Sequence, residues 1–165
     1  PFTTSGLQQT ASNDLHISPK ETMTICQRLY EAGYITYMRT DSKIYSKEFV
    51  EKVFELIDKK YGDKYKSKRL EELTSKVVDE KEKKSKKKKK EENNNAQEAH
   101  EAIRPTQIKI ENLPDDSDFS NRDKRMYYLI WKNTMESCMT DAEYTTILAK
   151  IKAPYDYEYN ILAKK

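Results

Sequence analysis

Residues 18–42 read SPKETMTICQRLYEAGYITYMRTDS, and the change of pattern inside this stretch decides the fold. Ser18 is placed to cap a helix, and Pro19 takes the first helical position, where a missing N–H costs nothing. Glu21 is placed to reach back and close a capping box. Thr22, Ile25, Cys26, Leu29 and Tyr30 then share one helical face, and Gly33 ends the run. After Gly33 the period changes. Tyr34-Ile35-Thr36-Tyr37-Met38-Arg39 is aromatic and β-branched and too short for another helix, so it reads as a strand.

Thr40-Asp41-Ser42 supplies turn and capping groups before a second amphipathic helix carrying Phe49, Val50, Val53, Phe54 and Ile57 and ending near Gly62. A shorter helix with Leu7, Ala11 and Leu15 precedes both. From about Asp63 to Asn95 periodicity is lost, and the stretch runs into KEKKSKKKKKEENNN, so most of it is expected to be disordered. Ser120-Asn121-Arg122-Asp123 opens a third strong helix, with Tyr127, Ile130, Trp131, Thr134 and Cys138 on one face. Beyond it the pattern becomes alternation: Thr145, Ile147, Ala149 and Ile151, then Tyr155, Tyr157, Tyr159 and Ile161, with Pro154 between. That predicts two antiparallel strands with Pro154 in the connection.

Of 165 residues, 36% are apolar and 36% charged, and the mean hydropathy is -1.01, so one modest core is possible and part of the chain lies outside it. The pI of 8.7 invites a nucleic-acid reading of the whole surface. The basicity is local, however. Lys81–Glu92 holds eight lysines against three glutamates, or +5, in a chain whose total is +3, which leaves -2 for everything else. Three glycines exclude a Gly-rich phosphate loop. Cys26 and Cys138 are far apart, form no CxxC and have only His16 and His100 for company, so two buried, reduced thiols are expected. No apolar stretch is long enough to span a bilayer. The chain opens Pro1-Phe2-Thr3, without an initiator Met or signal-like segment, and reads as a piece of something longer.

Chemistry concentrates in two places. If 34–39 is extended, Tyr37 and Arg39 point to the same side. A phenol with a pKa near 10 needs a cation to favour phenolate and hold the electrophile, and a guanidinium fork binds phosphate bidentately. A Tyr/Arg pair therefore suits attack on a phosphodiester; the alternative is an ordinary strand with one buried aromatic. The second place is Ala96-Gln97-Glu98-Ala99-His100-Glu101-Ala102-Ile103-Arg104-Pro105-Thr106, where Pro105 keeps Arg104 out of helical geometry. Either His100 and Arg104 grip phosphates, or this is a capped turn with a solvent-facing His.

PFTTSGLQQTAS, LYEAGYITYMRTDS, AQEAHEAIRPT and YYLIWKNTMESCM, in this order, resemble the tyrosine-bearing segment of bacterial-type type IA DNA topoisomerases, over roughly Pro1 to Tyr144. The HEAIRPT wording is closer to topoisomerase I or reverse gyrase than to topoisomerase III. The resemblance implies an enzyme that cuts one DNA strand through a 5′-phosphotyrosine, passes another strand and reseals, relaxing negative supercoils without ATP. By motif, Tyr37 is the nucleophile, Arg39 positions the scissile phosphate, Asp41 supports them, and His100 contacts a nearby phosphate with Arg104 as companion. It further implies Mg2+ held by an acidic domain of the same polypeptide outside this chain, no metal bound by the fragment itself, and a single-stranded DNA segment as partner.

The fold class expected is therefore mainly α, with a short strand carrying Tyr37 and a C-terminal antiparallel strand pair from a β-rich hinge domain. Residues 1–62 with 96–142 make the tyrosine-bearing domain, 63–95 a Lys/Asn-rich insert and 143–165 the hinge strands. The source stays open between a bacterial cytoplasm, an organelle of bacterial ancestry and a nucleus. A rival reading is a non-catalytic helical DNA-binding module in which Tyr37 packs and the lysine run makes salt-dependent phosphate contacts.

The insert reading has a direct test. Deleting residues 81–95 and rejoining the ends with a short flexible link should leave the melting temperature almost unchanged, since closure entropy changes by only about 0.6 kcal/mol per doubling of loop length. A large drop in thermal melting by circular dichroism would mean that the run is a structured element.

Overall fold

The structure, a computed structural model, describes residues 1–74, 101–115, 118–152 and 158–164. Helix α1 (Thr4–Thr10) starts where the Thr3 side chain accepts the Gly6 N–H, and it runs directly into a π-helical turn, Ala11–Leu15. That turn closes on His16, a non-glycine residue in the left-handed region at φ 55°. Leu7 and Ala11 are buried and Leu15 half-buried, in keeping with the periodicity.

Helix α2 (Pro19–Glu31) begins as its sequence dictates, with Ser18 accepting the Glu21 N–H at 3.3 Å. The box is not closed as expected, because the Glu21 carboxylate pairs with Arg122 of a later helix instead. At the other end Gly33, at φ 77°, lets the Tyr34 N–H donate to the Leu29 carbonyl (2.9 Å) and its own N–H to Tyr30 (2.8 Å). Two otherwise orphaned carbonyls are satisfied by that left-handed residue. Thr22, Ile25, Cys26 and Leu29 are buried, while Tyr30 sits at the edge of the face and emerges from the core.

The expected strand over 34–39 does not form. A single antiparallel bridge, Ile35 with Pro105, stands in its place, framed by Thr36 N–H to Arg104 C=O and Thr106 N–H to Tyr34 C=O, both 2.9 Å. The ladder stops on both sides for local reasons. The Tyr34 N–H is already committed to the end of α2, and the Arg104 N–H is captured by the Thr36 hydroxyl at 3.0 Å. A side-chain oxygen competing for a backbone donor ends a sheet as effectively as a proline does.

Helix α3 (Lys47–Tyr61) buries Phe49, Val50, Val53 and Ile57 and stops at Gly62, φ 100°. The first part of the expected insert is folded. A 3-10 turn (Asp63–Tyr65) and helix α4 (Leu70–Thr74) are anchored by backbone bonds from Ser67 to Cys138 and Thr140 to Tyr65, both 3.0 Å, and Leu73 is buried. These partners are more than sixty residues away, so no local period announces them. The lysine run itself lies outside the described residues.

Helix α5 (Asn121–Ser137) has the full capping box, with Ser120 and Asp123 satisfying each other. Its inner face of Met126, Tyr127, Ile130, Trp131 and Thr134 packs in the core. Tyr127 and Trp131 also fasten the preceding loop, donating to the Ile110 carbonyl at 2.6 Å and the Ile108 carbonyl at 2.8 Å. Both cysteines are free and buried, and burial pushes the Cys26 thiol up to about 12 and Cys138 to about 11. Strands β1 (Thr146–Lys152) and β2 (Glu158–Lys164) form the expected antiparallel pair, with Ile147 opposite Ala163, Ala149 opposite Ile161 and Ile151 opposite Tyr159. Pro154, Tyr155 and Tyr157 lie outside the described residues. No described helix is long and apolar enough to cross a membrane.

Asp123 ties the start of α5 to α2. Its carboxylate is buried, accepts the Ser120 N–H (2.9 Å) and hydroxyl (2.6 Å), and pairs with Arg28. Burial disfavours its ionisation, but the bonds from Ser120 and Arg28 outweigh burial and hold the carboxyl below its usual value of 3.8. Arg28 is half in water, so Asp123→Asn strands no buried charge and should cost about 2 kcal/mol, a cap plus charge-assisted bonds. With the folded pKa depressed, this stabilisation is present above the unfolded value and is lost as pH falls through the folded one. Thermal melts from pH 2.5 to 7 should therefore show a gap between parent and Asp123→Asn that is constant above about pH 5 and closes in acid. A gap independent of pH would mean that the carboxylate charge contributes nothing.

Candidate active site

Three stretches distant in sequence meet around Tyr37. Residues 101–106 run between the N-terminal segment and 34–36: Ile103 bridges Phe2 on one side and Pro105 bridges Ile35 on the other. The Ile103 N–H donates to Phe2 C=O at 2.9 Å, and the Ala102 N–H to Ile44 C=O at 2.8 Å. Thr106 adds a hydroxyl bond to the Gly33 carbonyl at 2.6 Å, and the Thr36 hydroxyl reaches Ala102 C=O at 3.0 Å. Ala102, Ile103 and Ile35 are all buried, so the bonds at Ala102 and Ile103 are shielded from water, while the Thr106–Gly33 bond is exposed.

The segment 37–40 is held in the same way from the other side. Thr4 donates its backbone N–H to Thr40 C=O (2.9 Å) and its hydroxyl to Met38 C=O (2.8 Å), and it accepts the Thr40 N–H at 2.9 Å. One threonine thus fixes the backbone on both sides of Arg39. Met38 and Thr40 point inward, and Tyr37 and Arg39, between and beside them, are exposed. Both are thus open to solvent, on a stretch that bends at Met38 and forms no strand.

Tyr37 is 42% exposed, which sets aside the reading of it as a packed aromatic. Its ring meets the edge of Tyr30 at 5.2 Å between centroids and 65° between planes, so the Tyr30 that left the helix face of α2 steers it. Among the described residues no hydrogen bond or ion pair engages the Tyr37 hydroxyl, the Arg39 guanidinium or the Asp41 carboxylate. A free phenol and a free cation thus stand two residues apart on a pinned backbone. Asp41 follows on the exposed side, where Ser42 turns the chain by donating its N–H to the Thr40 hydroxyl at 3.1 Å.

Arg104 stands differently. Its guanidinium, 13% exposed, donates Nε–H to Glu101 Oε2 at 2.8 Å and Nη1–H to Pro105 C=O at 3.0 Å, and it lies 4.0 Å over the Phe49 ring. Glu101 uses its other oxygen to accept the Ser46 N–H at 2.9 Å, at the entry to α3. Arg104 is thus engaged in bracing 101–105 against α3 and is not brought to the Tyr37–Arg39 side as an open fork. His100 lies outside the described residues. Sequence reasoning assigned no part to Thr4, Thr36, Glu101 or Thr106; Thr4 stands in the PFTTS motif, and that was its only signal. No three His, Cys, Asp or Glu residues cluster among the described residues as a metal site would require.

Comparison with known proteins places this arrangement. The family model for DNA topoisomerase matches residues 1–164. DNA topoisomerase 1 of Synechocystis sp. is 38% identical over 165 residues, covering 100% of this chain and 16% of that protein. The Vibrio cholerae DNA topoisomerase 1 is 41% identical, covering 99% and 16%. Full-length topoisomerase I from Thermotoga maritima superposes with a TM-score of 0.76 at 29% identity, over 100% of this chain and 25% of that one. The chain thus spans about 16% of the length of the curated relatives it matches. With a family match running nearly end to end, the chain belongs to the DNA topoisomerase family.

Proposed function

We propose that the chain is the nucleophile-bearing part of a type IA topoisomerase acting on a single-stranded segment of DNA. The observation that supports it most is the exposed, unengaged Tyr37 hydroxyl two residues from the unengaged Arg39 fork, on a backbone pinned by Thr4 and Thr36. Tyr37 Oη attacks the phosphorus, forming a 5′-phosphotyrosine ester as the P–O3′ bond breaks. The phenol loses its proton, and the departing 3′ oxygen gains one. Arg39 holds the non-bridging oxygens, where charge builds, and its fork suits them better than a point charge does. Because the phosphoester is kept as a covalent bond, resealing after strand passage is the same transfer in reverse and needs no ATP. Relaxation of negative supercoils follows from that cycle.

Asp41 acts in support. His100 contacts a neighbouring phosphate, and Arg104 serves the same loop by bracing it. The donor sets described here do not fit the magnesium of the full-length enzyme. We assign that ion to an acidic domain elsewhere in the polypeptide and route no step through it. Residues 1–62 with 96–142 form the tyrosine-bearing domain, joined by the folded start of the insert at 63–74, and β1–β2, whose described side chains are all exposed, belong to a β-rich hinge completed by the rest of the polypeptide.

In the full-length parent, Tyr37→Phe should abolish cleavage of a labelled single-stranded oligonucleotide. Arg39→Lys should slow single-turnover cleavage by about 10²- to 10³-fold, the loss typical of one transition-state donor, while binding changes little. His100→Ala should weaken binding most at mildly acidic pH, where an imidazolium would grip best. Arg39→Lys cleaving like the parent would remove the bidentate phosphate site.

The 165-residue chain alone should not relax supercoiled DNA. It carries the nucleophile without the groups that protonate the leaving oxygen, a loss of about 10²- to 10⁴-fold for that step. Relaxation by the purified chain that Tyr37→Phe abolishes would overturn this.

A further inference from the structure

A cleft of about 430 Å³ opens between the π-helical turn and the outward side of α5, a volume within the range of small-ligand sites. Leu15 and Leu129 supply apolar lining, and Lys124, Arg125 and Lys132 bring three cations. Lys124 leans on Asp115 at 3.0 Å and Lys132 on Glu136 at 3.8 Å, both surface pairs that an incoming anion can displace, while Arg125 is exposed with no partner among the described residues. Tyr128 lines the same cleft, 41% exposed. Its ring is stacked on Trp131 at 6.0 Å and 19°, and Trp131 is itself buried and tied to the Ile108 carbonyl, so the tyrosine is a fixed platform. Asp14 and Asn112 add polar groups at the rim, suited to the N–H donors of a base edge.

The π-helical turn makes this surface. Its extra residue per turn sets Asp14 and Leu15 against α5, and the chain then needs His16 in a left-handed conformation to leave. Insertions of this kind are common where a helix has been bent to a functional purpose. A rigid aromatic face rimmed by cations over an apolar lining is the chemistry that takes an unpaired base and its phosphates. A free inorganic anion would need no platform, and an apolar partner would not call for three cations.

We propose that this cleft is a second single-strand nucleotide-binding site, distinct from the Tyr37 site, in which a base stacks on Tyr128 and flanking phosphates meet Arg125, Lys132 and Lys124. That the strand is DNA rests on the proposed function; the stacking and charge recognition do not.

Trp131 is the one tryptophan of the chain and touches the platform, so its emission reports on this cleft. Titrating the 165-residue chain with an eight-nucleotide oligodeoxythymidylate should change Trp131 emission saturably, in parallel with the anisotropy of a labelled oligonucleotide. By anisotropy, Tyr128→Ala should weaken binding about tenfold and Tyr128→Phe less than twofold. Arg125→Glu should weaken it comparably and flatten the salt dependence. An abasic deoxyribose-phosphate oligomer should bind the parent about tenfold more weakly than the thymidylate.

Circular dichroism melts check the fold, and Arg125→Glu, at an exposed and unpartnered position, keeps the test alive if Tyr128→Ala is unstable. The proposal is overturned if the oligonucleotide binds without moving Trp131 emission, if it does not bind, if Arg125→Glu binds as the parent does, or if the abasic oligomer binds equally well. Tyr37→Phe should leave the Trp131 response intact, so loss of the catalytic reading and loss of this site register in separate assays.

Discussion

Residues 101–106 lie between two other stretches of chain and are bonded to both, to Phe2 on one side and to Tyr34 and Thr36 on the other. Each such bond is worth only about 1 kcal/mol net, but breaking one here strands a donor or acceptor among buried residues, which costs more. The position of Tyr37 follows from this arrangement. The end of α2 delivers Tyr34, the central segment holds 34–36, and the N-terminal segment holds 38–40 through Thr4. Remove the central strip and residues 34–36 lose their bridge, leaving the tyrosine-bearing segment held by the end of α2 and by Thr4 alone.

The same constraint separates the two arginines that chemistry alone makes equivalent. Arg39 lies on the outward side of a segment whose alternate residues, Met38 and Thr40, are buried, and its donors stay open. Arg104 belongs to the strip itself. With Pro105 and Ile103 fixed by bridges on either side, its side chain folds back onto Phe49 and Glu101, and its fork is spent within the protein. An arginine that reads as presented in a loop becomes a brace once its backbone is bonded on both sides. The Asp123–Arg28 pair does comparable work between helices, joining the capped start of α5 to α2.

Helices α2, α3 and α5 were readable as elements because most of what starts, buries and stops them lies within a few positions: Ser18 and Pro19, Gly33, Gly62, the Ser120–Asp123 box, and apolar spacing of three and four, although α3 is entered at Ser46 and not at the 40–42 turn. The β1–β2 pair was readable for the same reason, since alternation is local. Folded residues 63–74 escaped notice because their partners, Cys138 and Thr140, are remote. The strand expected at 34–39 failed because two of the donors it needed, those of Tyr34 and Arg104, were taken by a helix carbonyl and a threonine hydroxyl.

For the site, sequence alone singled out Tyr37 and Arg39 as residues suited to the chemistry and, for an extended segment, expected the two to share a side. That alternation is a property of the backbone and needs no neighbour. Tertiary structure alone decided that both residues are exposed, that Thr4 and Thr36 hold their segment, and that Arg104 turns inward. The bonds that hold the segment join stretches far apart in sequence, such as Thr4 with Met38 (thirty-four residues) and Thr36 with Arg104 (sixty-eight), and no local period encodes such a pairing.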